Sequence, residues 1–127
     1  NFTSIESILS GPGIQKLYEE KFKTKLCSEE IIKSALEGSD NELFVVENFL
    51  KTLIGIINDL VLTFSIERVV LGGGILNSLK PLLISTQNYF SSEINPKYSH
   101  LAKKTQVSLL LEDEPGIFGC LALLKKT

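Results

Sequence analysis

The sequence contains few of the residues that mark disulfide scaffolds, nucleic-acid-binding proteins and metal centres. Its 127 residues include two cysteines and one histidine, and its net charge is −2. Small secreted domains normally carry more cysteines, so we expect Cys27 and Cys120 to be reduced thiols in a cytoplasmic protein. The charge leaves no basic surface for nucleic acid or an anionic membrane. No metal-ligand spacing and no catalytic triad can be assembled.

Long apolar runs and a starting methionine are also absent. Charged residues interrupt each apolar stretch before it reaches the ~20 residues that a membrane helix needs, so no membrane partner is expected. No signal peptide is visible. Because the chain lacks methionine and begins just before a glycine-containing motif, we expect it to be a segment of a longer protein.

The composition that remains is that of a globular domain. Apolar residues make up 43% of the chain and charged residues 22%, which is ordinary for a protein with one sizeable core. No repeat, linker or low-complexity segment divides it. We therefore expect residues 1–127 to form a single domain.

Apolar spacing and capping residues predict a mostly helical chain. Ser28 is a candidate N-cap, and Gly55 inside a long apolar helix costs about 1 kcal/mol relative to alanine, which suggests a close approach by another helix. The apolar stripe of that long helix is wide enough for most of its surface to be buried. One helix is predicted directly after the turn at 10–13, and four more are predicted at about 28–36, 41–64, 77–91 and 115–126.

Two apolar runs, 66–71 and 106–111, are typical of buried strands. A helical crossover lies between them, which predicts parallel pairing and an α/β class with a short parallel sheet. Two strands are too few for a stable sheet, so further strands are expected outside this chain.

The run Gly-Gly-Gly at 72–74 lies where the first strand ends and a helix follows. Parallel sheets bind ligands at the carboxyl ends of their strands, and glycines there let a flat ring or a phosphate approach the backbone. The alternative is a tight strand-to-helix turn without a ligand. The run matches neither the dinucleotide-binding fingerprint nor the P-loop.

Other polar residues have a functional and a structural interpretation. Glu6 is either a surface carboxylate or an acceptor for a sugar hydroxyl. Asn58 and Asp59 either line a cleft or occupy the narrow exposed face of an apolar helix. His100 follows Ser99, but nothing pairs it with a nucleophile and it is expected at the surface. The acidic run 112–114 is either a metal ligand or a solvated loop, and the solvated loop is expected.

Three segments together resemble the bacterial glucokinase family. In residues 5–18, Glu6 precedes Ser-Gly-Pro-Gly, an aliphatic residue and then Tyr18. Residues 69–75 are similar to the family's strand and Gly-Gly-Ile turn, and residues 114–119 to its Pro-Gly-Leu-Leu-Gly segment. The order and approximate spacing match, and the resemblance spans nearly the whole chain.

This resemblance implies an actin-like, ribonuclease-H-like sugar kinase fold with two lobes around a cleft. The chain would be its carboxyl-terminal, large-lobe part. The implied reaction transfers the γ-phosphoryl of ATP to the 6-hydroxyl of glucose, with Mg²⁺ as cofactor. Glu6 corresponds to a sugar ligand in the family. The adenosine-binding turn corresponds to Gly72, Gly73 and Gly74, and we extend it to Asn77.

The chain also departs from the family's pattern. It lacks the Asp-Gly-Gly-Thr phosphate loop, the catalytic-base Asp and the Glu-Gly-Gly-His sugar segment. Because phosphoryl transfer depends on such groups, the chain alone is expected to be inactive, with the missing amino-terminal lobe as a partner beside glucose and ATP. The alternatives are a non-catalytic binding or dimerisation module and a regulatory relative, although no basic DNA-binding segment is present. A homodimer remains open.

Overall fold

The computed structural model describes residues 4–82 and 106–109, and these residues are mostly helical. Within them, no helix is long and apolar enough to cross a membrane. The elements in chain order are α1 (Gly11–Phe22), α2 (Ser28–Leu36), α3 (Asp40–Phe64), β1 (Arg68–Leu71), α4 (Gly74–Ser78) and β2 (Gln106–Leu109).

Helix α1 begins at the Ser-Gly-Pro-Gly turn for local reasons that the sequence contains. The hydroxyl of Ser10 caps the helix by accepting the Gly13 N–H at 3.2 Å. Pro12 lies in the first turn, where its missing N–H costs nothing. A Cβ on Gly13 would overlap the carbonyl oxygen of Ile8 and lie 2.8 Å from that of Ser7, so glycine allows the preceding turn to pack directly on α1.

Helix α2 begins where the sequence predicts, but its cap is a different residue. Ser28 is the first helical residue and Cys27 is the N-cap, so the prediction of Ser28 as the cap was wrong by one position. The Cys27 N–H donates to the Glu30 carboxylate at 3.3 Å, which stabilises the exposed amino end. Cys27 is a free, exposed thiol. The pKa of Glu29 is lowered, chiefly by a hydrogen bond from its own backbone N–H.

Helix α3, with 25 residues, is the longest of the described elements, and α1, α2, α4 and β1 pack against it. Gly55 is exposed, and no atom of the described residues lies within 4 Å of the position its Cβ would occupy. The predicted close approach at Gly55 is therefore absent from the described part of the chain. The apolar stripe is narrower than expected, because Phe44, Leu60 and Phe64 are exposed, so the expectation that most of the helix surface is buried was wrong. Nine of the 25 residues of α3 are buried: Val45, Val46, Phe49, Leu50, Leu53, Ile54, Ile57, Asn58 and Val61.

Two clusters of buried side chains divide α3 along its length. The larger cluster joins its amino-terminal half to α1 and α2, with Ile14, Ile31 and Val45 almost fully buried. The smaller cluster joins its carboxyl-terminal half to β1 through Leu71. Leu9 packs against both clusters, so the turn before α1 is tied to the helical layer and to the strand.

The strands β1 and β2 pair in parallel, with Arg68 opposite Gln106 and Leu71 opposite Leu109. This agrees with the predicted parallel pairing, although β1 begins at Arg68, two residues later than the apolar run that predicted it. The predicted final helix at 115–126 lies outside the described residues.

The helix predicted for 77–91 begins earlier and is interrupted. Helix α4 already begins at Gly74, the backbone turns at Leu79, and residues 80–82 are helical again. Pro81 supplies the physical reason, because it has no N–H to donate to the carbonyl of Asn77, four residues earlier. The rest of the predicted range lies outside the described residues.

Tyr18 connects α1 to α3 through a partly buried hydrogen bond. Its hydroxyl donates to Oε1 of Glu42 at 2.6 Å, and its ring packs on Phe22 with centroids 5.0 Å apart. The bond to Glu42 raises the pKa of Tyr18 above its ordinary value of 10.0, with burial and the Glu42 charge as further causes. The neutral phenol is therefore the form that stabilises the fold.

We expect Tyr18→Phe to lower the free energy of unfolding by about 0.5–1.5 kcal/mol, because the hydrogen bond is lost while the ring packing remains. Since the folded-state pKa is raised, the contribution is fully present below about pH 10 and is lost as the pH rises through the folded pKa. Urea unfolding at neutral pH and above about pH 10 measures the difference between the two proteins. A difference that does not shrink at high pH would contradict this account.

Candidate functional site

A helical turn ahead of α1 presents Glu6 to solvent. The backbone N–H groups of Ile8 and Leu9 both donate to the Ile5 carbonyl, at 3.0 and 2.8 Å. Glu6 is exposed in this turn, and its carboxylate has no hydrogen-bond or salt-bridge partner among the described residues. The carboxylate is therefore free to accept hydrogen bonds from a ligand, as it would be if it were a simple surface residue.

The three glycines that follow β1 are exposed, but they differ in conformation. Gly73 has φ 121° and ψ 158°, a backbone region that side-chain-bearing residues rarely adopt. Gly74 has no positive φ, and no described atom lies within 4 Å of the position of an added Cβ. The requirement of a tight turn therefore falls on Gly73, while Gly74 borders open space. Gly72 is exposed and directly follows the buried Leu71.

Asn77 lies one helical turn beyond this glycine turn. Its backbone N–H donates to the Gly73 carbonyl at 3.0 Å, which fixes α4 to the turn. The residue is half-buried in α4.

The amino ends of α1 and α4 meet in the structure. A Cβ added to Gly11 would lie 3.6 Å from Cδ1 of Ile75, the residue that follows Gly74. The same position lies 3.1 Å from the Ser28 hydroxyl, so α1, α2 and α4 converge here. The turn that carries Glu6 and the glycine turn are thus attached to helix ends that touch.

The other polar candidates separate clearly. Asn58 is buried, with 9% exposure, on the apolar face of α3, whereas Asp59 on the same helix is exposed. Neither is brought to the Glu6 turn by any observed contact. His100, Cys120 and the acidic run 112–114 lie outside the described residues. Among residues 4–82, no three His, Cys, Asp or Glu side chains lie together in a way that could hold a metal ion.

A groove between α1 and α3 was not anticipated from the sequence. It encloses about 340 Å³, and the Nζ atom of Lys21 lies over the Phe44 ring at its edge, 5.2 Å from the centroid. Its residues have the spacing of core positions on two separate helices, so no sequence signal distinguishes them from core. The lining residues are Ile8, Gly13, Ile14, Leu17, Lys21, Phe44, Asn48, Phe49 and Thr52.

Comparison with known proteins identifies sugar kinases as relatives. The sequence model of the family described as Glucokinase matches residues 1–127. The glucokinase of Zymomonas mobilis subsp. mobilis is 31% identical over 129 residues, covering 94% of this chain and 39% of that protein. The N-acetyl-D-glucosamine kinase of Pectobacterium atrosepticum is 33% identical over 76 residues, covering 60% of this chain and 25% of that protein. The chain thus spans well under half the length of these curated relatives.

The different conformations of the two adjacent glycines lead to a stability prediction. Gly73→Ala should lower the free energy of unfolding by about 1–3 kcal/mol, because a side chain there is strained. Gly74→Ala should be neutral or slightly stabilising, since alanine favours a helix by up to about 1 kcal/mol. Urea unfolding of the two variants measures both effects. Equal destabilisation by the two substitutions would show that the turn requires both glycines.

Proposed function

Because the chain belongs to the glucokinase family, we propose that it supplies part of the sugar site and part of the nucleotide site of an ATP-dependent glucose kinase. The family match over residues 1–127 is the observation that carries this proposal. The reaction transfers the γ-phosphoryl of ATP to the 6-hydroxyl of glucose. In this proposal, the catalytic base lies in an amino-terminal part of the enzyme and is not among the described residues.

The proposed fold is the carboxyl-terminal, large-lobe part of a ribonuclease-H-like sugar kinase. The parallel pair β1–β2 supports it, as does the packing of α3 on β1 through Leu71. Exposed apolar side chains also fit a place in a larger, complete kinase, since Phe64 is 68% exposed and Val70 is 53% exposed. A non-catalytic binding or dimerisation module would leave the same surface to be covered and is the second candidate.

In the proposed sugar site, Glu6 accepts hydrogen bonds from hydroxyl groups of glucose. An ionised carboxylate is an acceptor with two oxygens, and its bonds to hydroxyls are stronger than neutral ones. The exposure of Glu6 and the absence of a competing partner among the described residues support this role. The Pectobacterium atrosepticum relative is an N-acetyl-D-glucosamine kinase, so that sugar is the substrate to compare with glucose.

In the proposed nucleotide site, the adenosine of ATP lies against Gly72, Gly73 and Gly74, with Asn77 at the rim. A flat ring needs bare backbone within van der Waals distance, and the open space at Gly74 fits that need. The described residues contain no cluster that could hold Mg²⁺. Mg²⁺ would neutralise phosphate charge during the transfer, and no residue of this chain is proposed as its ligand.

We expect Glu6→Gln in the full-length enzyme to raise the KM for glucose and lower kcat/KM about ten-fold or more. A hydrogen bond to a charged group contributes about 1.5–3 kcal/mol, and about 1.4 kcal/mol is a factor of ten. A coupled assay with glucose, N-acetylglucosamine and ATP varied separately measures the change. Glu20→Gln, at an exposed glutamate of α1, is the matched control. Unchanged kinetics in Glu6→Gln would leave Glu6 as a surface residue.

We expect Gly74→Val in the full-length enzyme to weaken ATP binding about ten-fold, or by about 1.4 kcal/mol, with little change in glucose binding. The added side chain would fill the space that the adenosine ring is proposed to occupy. Calorimetric titration of each ligand and thermal unfolding separate binding from stability. Gly55→Val, at an exposed helical glycine with open space around it, is the control. Equal loss of both ligands with a lowered melting temperature would reduce Gly74 to a structural role.

A further inference from the structure

The turn that carries Glu6 is closed by two serines that bond to each other. The Ser7 N–H donates to the Ser4 hydroxyl at 3.2 Å, and the Ser4 N–H donates to the Ser7 hydroxyl at 3.3 Å. The Ser7 hydroxyl also donates to the Ser4 carbonyl at 2.7 Å. This reciprocal arrangement is that of a capping box, in which two backbone N–H groups at a helix start are satisfied together. The amino end of this turn is therefore held by hydrogen bonds of the two serine side chains.

The other end of the same turn is fixed by close backbone contact. The Ser7 and Ile8 carbonyls lie directly over Gly13, where a Cβ would not fit. Leu9 is anchored in both core clusters. The carboxyl side of the turn is thus packed on α1. The middle of the turn is held by the two backbone bonds to the Ile5 carbonyl, and its amino end by the bonds between Ser4 and Ser7.

We infer that Ser7 is a positioning residue for the sugar-binding carboxylate of Glu6, an inference that rests on the proposed function. Glu6 lies between the two serines, is exposed and has no partner of its own among the described residues. Its orientation is therefore set by the backbone that Ser7 holds. Loss of the Ser7 hydroxyl removes two of the three bonds between Ser4 and Ser7 and so loosens the amino end of the turn. The carboxylate must then be ordered by the sugar at the cost of affinity.

The test compares hydroxyl-deleting and hydroxyl-keeping variants in the full-length enzyme. Ser7→Ala should raise the glucose KM and the calorimetric Kd about two- to ten-fold, as expected for one net hydrogen bond, with the ATP Kd and the melting temperature nearly unchanged. Alanine is a better helix former than serine, so a weaker sugar site cannot be attributed to poorer helix propensity. Ser7→Thr keeps the hydroxyl and should restore the glucose Kd.

Thr63→Val is the matched control, because the Thr63 hydroxyl also donates to a backbone carbonyl, that of Asp59 at 2.6 Å, at the far end of α3. It should leave the Kd values of both ligands unchanged. Failure of Ser7→Ala to weaken glucose binding, or an equal loss of glucose and ATP binding, would overturn the inference.

A double-mutant cycle distinguishes positioning from general damage. If Ser7 acts through Glu6, Ser7→Ala should have little further effect on glucose Kd in the Glu6→Gln background. Additive effects would overturn the inference while leaving the sugar contact of Glu6 intact. If Glu6→Gln has no effect by itself, the proposed sugar contact and the positioning role are both wrong.

Discussion

The close contact between Gly13 and the carbonyl groups of Ser7 and Ile8 determines the arrangement of the candidate site. It needs a residue without a Cβ, and it places the turn that carries Glu6 directly on the first turn of α1. The neighbouring Gly11 lies within reach of Ser28 and Ile75, which brings α2 and α4 to the same point. The two candidate ligand-binding turns are therefore attached to one junction of helix ends, and small residues make that junction possible.

The elements that depend on local chemistry could be predicted from the sequence. The apolar stripe of α3 follows from the spacing of its apolar residues, and the start of α1 follows from the capping residue of the Ser-Gly-Pro-Gly turn. The resemblance to glucokinases is confirmed along the chain. The misassigned cap at Ser28 and the interrupted helix near Pro81 show the limits at element ends, where neighbouring residues compete for the same role. Which of several neighbouring residues becomes the cap or the last helical residue depends on the tertiary structure.

The site could be predicted only in part, because its geometry depends on tertiary contacts. From the sequence alone, the three glycines at 72–74 are equivalent. In the structure they differ, because Gly73 has a positive φ whereas Gly74 borders open space. The reciprocal bonds of Ser4 and Ser7 have no signature that distinguishes them from ordinary surface serines. The groove between α1 and α3 combines residues from distant parts of the chain and has no sequence signal.

The proposed function assigns the phosphate loop and the catalytic base to an amino-terminal lobe, so we expect these 127 residues alone to have no kinase activity. The most direct measurement is a coupled assay of ADP and glucose 6-phosphate formation by two proteins. One is this chain, and the other is this chain fused behind the part of the Zymomonas mobilis glucokinase that has no counterpart in it. We expect no turnover by the chain and turnover by the fusion that depends on both ATP and glucose. Turnover by the chain alone, or a folded fusion that binds neither glucose nor ATP, would contradict the proposed function.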